Sequence, residues 1–440
     1  MIRPLQILLA ALPVAVTAAV IFAYGVNVPF WDQWELVPLL VKQRDGTLAL
    51  ADLLHQHNEH RMFFPNLIMV GLAPLTGWDI RAELAVSLAL ALAALGVALA
   101  MLRPLLAGAG TALRLWTPFV LSLLLFSLTQ WENWLWGWQI QWFLSLLATL
   151  GTVLLLDRAL AARNPWPALA GAAAAAGVVQ FSVASGIMLW PAGLLMILLH
   201  PRPRRLPLAA AWVVVAVASC AVFFAGWFRP VIPGSVPPLE VLANPGPLLA
   251  YIASYLVSPL VRGDLLGLTP DLYGFLMLAA VLGCAGWLLA TGWHERARLL
   301  PWLALAAFTG ANALVTGLGR VVFGVAQALG SRYVTLGQLF ALSAIALGIL
   351  ALRRLPGRVL PRVAGAGLAA VVTGLLLLAG WQSRPYLDAR SGQLAAGLAC
   401  LPAADSAPDA CLMLIYPDAG AVRARAAMLR DLGWSGFAGR

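Results

Sequence analysis

Uncharged runs of membrane-spanning length dominate this chain. Residues 333–352, YVTLGQLFALSAIALGILAL, hold no Asp, Glu, Lys, Arg or His. At about 1.5 Å of rise per residue, such a helix covers the roughly 30 Å hydrocarbon core of a bilayer. Helix is required there, because a backbone amide left unpaired in lipid costs several kcal/mol. The short alternating segments of a membrane barrel do not occur. Hydrophobic residues make up 62% of the 440, against about half in water-soluble domains. The expected fold is therefore all-α, a polytopic transmembrane helical bundle. Spans are expected at 5–25, 82–102, 115–130, 139–157, 166–184, 186–200, 208–228, 271–291, 300–318, 333–352 and 362–381, eleven in all. Around Ser185, QFSVASGIMLWP reads as a tight turn or a broken helix.

Charge sets the expected orientation, since short cytoplasmic loops collect Arg and Lys. Arg103 with Arg114, Arg158 with Arg163, RPRR at 202–205, Arg296 with Arg298, and Arg353 and Arg354 with Arg358 and Arg362 all fall on the side of Arg3. The N-terminus is expected inside, the C-terminus outside, and the first span retained rather than cleaved. Of the eighteen acids, only Asp157 and Glu295 then lie inside. Acids contribute little to orientation, so their excess points to an outer face that carries chemistry. Its pieces are the first loop, 26–81, a second at 229–270, and a tail, 382–440, outside the transmembrane domain of 1–381. The net charge of +10 is scattered between apolar runs rather than forming one basic patch, which argues against nucleic acid as a partner.

Cys220 and Cys284 lie within apolar runs and read as packing residues. Cys400 and Cys411 lie in the tail, where an oxidising compartment would permit a disulfide. No CxxC pattern suggests structural zinc. The Ala-rich AGAAAAAG, 170–177, reads as a close-packing helix face.

Four polar stretches face outward under this topology. In VPFWDQWELVPLL, Asp32 and Glu35 stand one helical turn apart, beside Trp31 and Trp34. That pattern suits an interfacial helix with Trp anchors or a carboxylate whose basicity apolar neighbours raise. HQHNEHR, 55–61, sets His57, Asn58, Glu59, His60 and Arg61 in five consecutive positions. A solvated loop and a phosphate- or metal-binding loop are both open readings, and neither zinc-protease motif can be read in it. QWENWLWGWQIQW spaces Trp131, Trp134, Trp138 and Trp142 at helical intervals, as an aromatic belt or as platforms for sugar rings. Arg320 and Arg332, the latter followed by Tyr333, flank a Gly-rich loop, and Arg262 is of the same kind. Guanidinium forks bind phosphate, whereas the alternative is snorkelling to lipid headgroups.

This layout, with Asp32 in PFWDQWE just after the first span, resembles the GT-C superfamily of glycosyltransferases, which includes protein mannosyltransferases and the aminoarabinose transferase of lipid A. HNEHR, QWENWLWGWQIQ and GSRYVT also look similar to segments of a group of bacterial multispan proteins. The first loop lacks an adjacent acid pair, and the tail is short for that superfamily. The resemblance implies a bacterial inner-membrane enzyme whose first-loop carboxylate activates the acceptor. Its donor would be a sugar on a polyprenyl phosphate, and its acceptor an envelope glycan, lipid or protein. On that view Asp32 is the base, with Glu35 or Glu59 as alternatives, and Arg61, Arg262, Arg320 and Arg332 balance phosphate charge. His57, Asn58 and His60 position phosphate or a divalent cation such as Mg or Mn, and Trp134, Trp138 and Tyr333 contact substrate. The rival class is a transporter or lipid-linked-glycan flippase.

Overall fold

The computed structural model describes residues 2–107, 109–230, 234, 236–357 and 359–437. Arg358 and the side chain of Arg3, both expected as anchors, lie outside what is described. The first helix, α1 (Ile2–Tyr24), leads to a 3-10 turn (Trp31–Leu36), α2 (Val37–Arg44), a two-strand ribbon and α3 (Phe63–Thr76). The ribbon pairs β1 (Gln56–His57) with β2 (His60–Arg61) in antiparallel register. Then follow α4 (Ile80–Leu106), α5 (Thr111–Leu125), α6 (Ile140–Ala161), α7 (Trp166–Gln180), α8 (Leu189–Leu199) and α9 (Leu206–Phe224). After them come α10 (Pro245–Val257), α11 (Pro270–Thr291), α12 (Leu300–Arg320), α13 (Val334–Leu352) and α14 (Val359–Gln382). The tail folds as α15 (Arg384–Cys400) and α16 (Ala419–Leu432), with Cys400 bonded to Cys411.

Nine helical stretches among the described residues are long and apolar enough to cross a membrane, and the chain is a multi-pass membrane protein. Their burial is graded. In α13 and in the stretch containing α6, 72% and 61% of the apolar window is enclosed, against 17% for α1 and for α14. The first two are central; the others present Leu8, Phe22, Val363 and Val371 outward, a surface that only lipid would cover without cost.

The runs expected as spans at 166–184 and 186–200 are shorter helices, α7 and α8, with a tight turn between them. Gly186 explains the turn: a Cβ there would stand 2.6 Å from the Val179 carbonyl carbon, so the chain doubles back only without one. The pair still reaches both ends of the bundle. Ala184 meets the ribbon at one end, and Arg202 binds the last carbonyls of α6 at the other. In α7, Ala172 and Ala176 are fully buried, and the Thr152 hydroxyl of α6 reaches the Ala172 carbonyl. Small side chains thus permit close approach, as expected for that run.

Candidate active site

The end of the bundle that carries residues 24–80 also gathers residues 128–140, the α7–α8 turn, the end of α9, Arg320, residues 331–333 and α15. Its geometry begins with a buried polar node. Glu83, in the first turn of α4 and 1% exposed, accepts a hydrogen bond from Trp78 Nε1 at 2.9 Å and another from Gln33 Nε2. Gly137 lies directly over this pair, and a Cβ there would collide with both side chains. The node therefore fixes the 3-10 turn against α4 and the Trp136–Trp138 segment. Trp31 adopts a left-handed φ of 47°, unfavourable for a residue with a Cβ. Its N–H donates to the Ile415 carbonyl of the tail at 2.8 Å, which holds it there.

Asp32 and Glu35 leave this turn in different directions. Asp32 Oδ2 is 3.6 Å from His57 Nε2, with 32% of its side chain exposed. Glu35 is engaged by the tail: Tyr416 Oη donates to Oε1 and Arg425 Nη2 to Oε2, both at 2.9 Å. It fastens the tail to the first loop and does not share the surroundings of Asp32.

The ribbon brings His57 opposite His60, around a turn in which Asn58 has a left-handed φ of 49°. His57 packs edge-on against Trp138, centroids 5.1 Å apart, while Asn58 Nδ2 lies 3.1 Å from His57 Nε2. His60 Nδ1 accepts from the Ala184 N–H at 2.9 Å, which leaves Nε2 facing Glu59 Oε1 at 3.7 Å. Burial, with help from His57 and Arg320, lowers the His60 pKa against the opposing pull of Glu59 and Asp32. Glu59 Oε1 also accepts from Arg320 Nη2 at 2.9 Å. Burial alone would raise the Glu59 pKa, yet His60, Arg320 and hydrogen bonding outweigh it and hold the carboxyl at about 2. A group that acidic is a fixed charge, poorly matched to accept a proton near neutrality.

Arg61 is placed as a helix cap. Its Nε donates to Phe223 O at 2.6 Å, Nη2 to Ala225 O at 2.5 Å, and Nη1 to Leu54 O at 2.8 Å. Those acceptors include the C-terminal carbonyls of α9, where a cation also complements the helix dipole. Gln56 pins the ribbon to the same turn through both the N–H and the carbonyl of Phe228.

Of the Trp residues, Trp134 is fully buried, stacked on Phe143 at 4.3 Å, with its N–H on the Ser127 carbonyl. It packs the core and offers no face to a sugar. Trp138, 3% exposed, backs His57. The accessible rings here are Trp31, 46% exposed, and Trp131, which stacks on Tyr386 of α15 at 5.5 Å.

Arg332 stands where the site opens. Its side chain is 46% exposed, with Nε 4.0 Å from Glu132 Oε2, and it feels the Asp32 carboxylate as well. Its guanidinium carbon lies 5.8 Å from the Tyr333 ring, which is itself buried between Trp142 and Tyr255. Arg390 of α15 joins from the tail, its guanidinium 4.2 Å from the Phe30 ring and 5.1 Å from Trp131. Arg262 is near Tyr386, and burial lowers its pKa to about 10. Both Arg262 and Arg390 keep a buried Nη1 without a hydrogen-bond acceptor. Among the described residues, no three His, Cys, Asp or Glu side chains are placed to hold a metal ion.

The structure thus brings Asp32, His57, Trp138, Glu132, Arg332 and Arg390 to one face, with the Glu59–His60–Arg320 cluster beside them. Glu35, Arg61 and Trp134 are engaged elsewhere. Sequence reasoning missed Glu83 and Arg390. A carboxylate in the first turn of an apolar helix marked the former, and an arginine away from the basic loops marked the latter. Comparison of the chain with protein-family models, curated proteins and solved structures finds no match.

Proposed function

We propose that this chain is a GT-C-like membrane glycosyltransferase that moves a sugar from a polyprenyl-phosphate carrier to a cell-envelope acceptor. One observation carries the reading: a partly exposed carboxylate, Asp32, adjoins an imidazole and an exposed guanidinium where apolar helices end. In the reaction, Asp32 takes the proton of an acceptor hydroxyl while that oxygen bonds to the anomeric carbon. The bond from that carbon to the phosphate oxygen breaks, with inversion, and the lipid phosphate departs with the electron pair. His57 orients Asp32. Arg332 and Arg390, helped by Arg262, offset charge growing on the leaving phosphate, an effect strengthened where water is scarce. The donor's polyprenyl chain stays in lipid alongside the bundle. On this reading the arginine-rich loops face the cytoplasm, the site faces outward from a bacterial inner membrane, and α7 with α8 completes eleven crossings.

Transport is the second reading, favoured by a buried polar stripe. Gln141, Ser145 and Thr149 recur every four residues along α6, each with a side-chain oxygen lacking a partner. Polar groups inside a span commonly mark a pathway. Vesicles loaded with labelled polyprenyl-linked sugars separate the two. Transfer of label to an acceptor at the site's face supports the enzyme. Movement of intact donor across the bilayer without transfer sinks it.

A further inference from the structure

Two cavities adjoin at the arginine-rich end of the bundle. One, about 460 Å³, is walled by Met101, Leu105, Leu154 and Trp302, with Asp157 and His200 at its polar side. The other, about 240 Å³, is lined by Leu288, Leu299 and Leu350 together with Glu295 and Arg354. Arg298 and Arg353 line both.

The surrounding arginines are tied to backbone. Arg202 donates to the α6 carbonyls, Arg205 to His200, Arg296 to Leu199, and Arg354 to Leu288. Arg353 gives Nη1 to Leu105 and retains further donors. Arg298 caps no carbonyl among the described contacts. Its ion pair to Glu295 is loose, 3.6 Å, and 66% of its side chain is exposed. Among the lining residues alone, Arg298, Arg353 and Arg354 face Asp157 and Glu295, an excess of one positive charge, while Arg202, Arg205 and Arg296 stand outside the walls. Beside them Trp293 is exposed with Arg296 stacked over its ring at 4.6 Å. Exposed Trp with Arg at the ends of apolar helices marks headgroup depth.

We propose that Arg298 and Arg353 bind the phosphate of a phospholipid carrying a single negative charge, its two chains lying along the apolar walls on either side. The charge excess matches one phosphodiester, and the two lobes flanking a guanidinium pair match a headgroup with two chains. This site is independent of the transferase reading, and basic pockets between membrane helices are known to recruit acidic headgroups.

The test uses the purified full-length protein, stripped of lipid in detergent. It is titrated with phosphatidylglycerol, with phosphatidylcholine of the same chains, and with glycerol 3-phosphate. Retention in native mass spectrometry and thermal melting are the readouts. Phosphatidylglycerol is expected to be retained and to raise the melting temperature, the other two not. Arg298→Gln should weaken phosphatidylglycerol retention about five-fold, the effect of one basic residue at an anionic surface. Its lipid-free melting should be unchanged, because no helix carbonyl loses a donor. Should that variant fail to fold, Leu154→Trp fills the larger cavity from its apolar wall and should likewise cut retention. Equal responses to the two phospholipids overturn the proposal, as does wild-type retention in either variant. Glycerol 3-phosphate acting as well as phosphatidylglycerol would make this a free-phosphate site and overturn the lipid assignment.

Discussion

The two ends of this bundle put most of their arginines to different uses. At the end with residues 199–206, 291–300 and 352–357, guanidinium groups meet carbonyls that helices leave without partners. At the other end Arg320, Arg332 and Arg425 meet carboxylates, and Arg262 and Arg390 hold buried donors without acceptors. A cap needs only a cation within reach of a helix C-terminus. A paired and partly open set of charges needs a scaffold that fixes several loops at once, here the Glu83–Gln33–Trp78 node and the docked tail. At the first end most arginines close helix ends, and at the second they hold loops and tail around a set of charges.

The sharpest break in that comparison is Asp32→Asn. Loss of the proposed general base should reduce the proposed transfer by about 10²–10⁴-fold, with thermal melting unchanged because Asp32 supports no buried contact. Near-normal transfer in that variant would strip the site of its base. Next in size, two glycines set the ends side by side. Gly137→Ala drives a Cβ into the buried Glu83–Gln33 pair and should cost about 1–3 kcal/mol, as overpacking does. Gly292→Ala meets only the far end of Arg354, which can swing aside by giving up its bond to the Leu288 carbonyl, so its cost should be smaller, about 0.5–1.5 kcal/mol. Equal effects at the two positions would mean the node is no more rigid than the anchor end.

How much of this was legible beforehand follows from the range of the forces involved. Apolar run length fixed most helices, because lipid leaves a backbone no alternative. Asp32, His57 and Arg332 announced themselves as polar residues where hydrophobicity was expected. Arg61 did not announce that it was a cap. Its acceptors lie up to 164 residues away, and no local pattern encodes that contact. Glu35 likewise looked like a twin of Asp32, one turn along. Only the folded tail, 381 residues later at Tyr416, distinguishes them. Trp134 and Trp138 shared the spacing of a surface belt, yet the 3-10 turns at 128–130 and 137–139 interrupt that periodicity and turn both rings inward.

A smaller effect separates the two uses of arginine at the functional end itself. Arg61→Ala leaves three carbonyls without their donor and should cost about 1–3 kcal/mol in stability. Transfer per folded molecule should be kept. Arg332→Ala should do the reverse: melting unchanged and transfer reduced roughly ten-fold, the size expected for one charge-assisted hydrogen bond, with kcat falling because that guanidinium meets charge that grows as the phosphate leaves. If Arg61→Ala instead slows transfer without destabilising, it belongs with the clamps.

The smallest effect is a difference in how the ends respond to acid. Glu59 sits at about 2 in the fold, against an ordinary 4.5. Its contribution to stability is therefore complete above about 4.5 and is lost as pH falls towards 2. His60 is lowered from an ordinary 6.5. The unfolded chain therefore takes up that proton first, and stability begins to fall once pH drops below about 6.5. Both shifts act in the same direction, so the ribbon end should loosen in two stages on acidification. Guanidinium-to-carbonyl caps do not titrate in this range, but His200 at the anchor end is also lowered, by burial and by Arg202, Arg296 and Arg205, and its Nδ1 accepts from the Arg202 N–H, so that end shares the upper stage and lacks the lower one. Hydrogen exchange at pH 7, 5 and 3.5 should show residues 55–61 losing protection in both steps, 199–206 in the step from pH 7 to 5 alone, and 352–357 in neither. Glu59→Gln should remove the lower stage and spare the upper one, because Ala184 still donates to His60 Nδ1. An acid response equal at both ends, or unchanged in Glu59→Gln, would show that the buried carboxylate does not hold the ribbon in place.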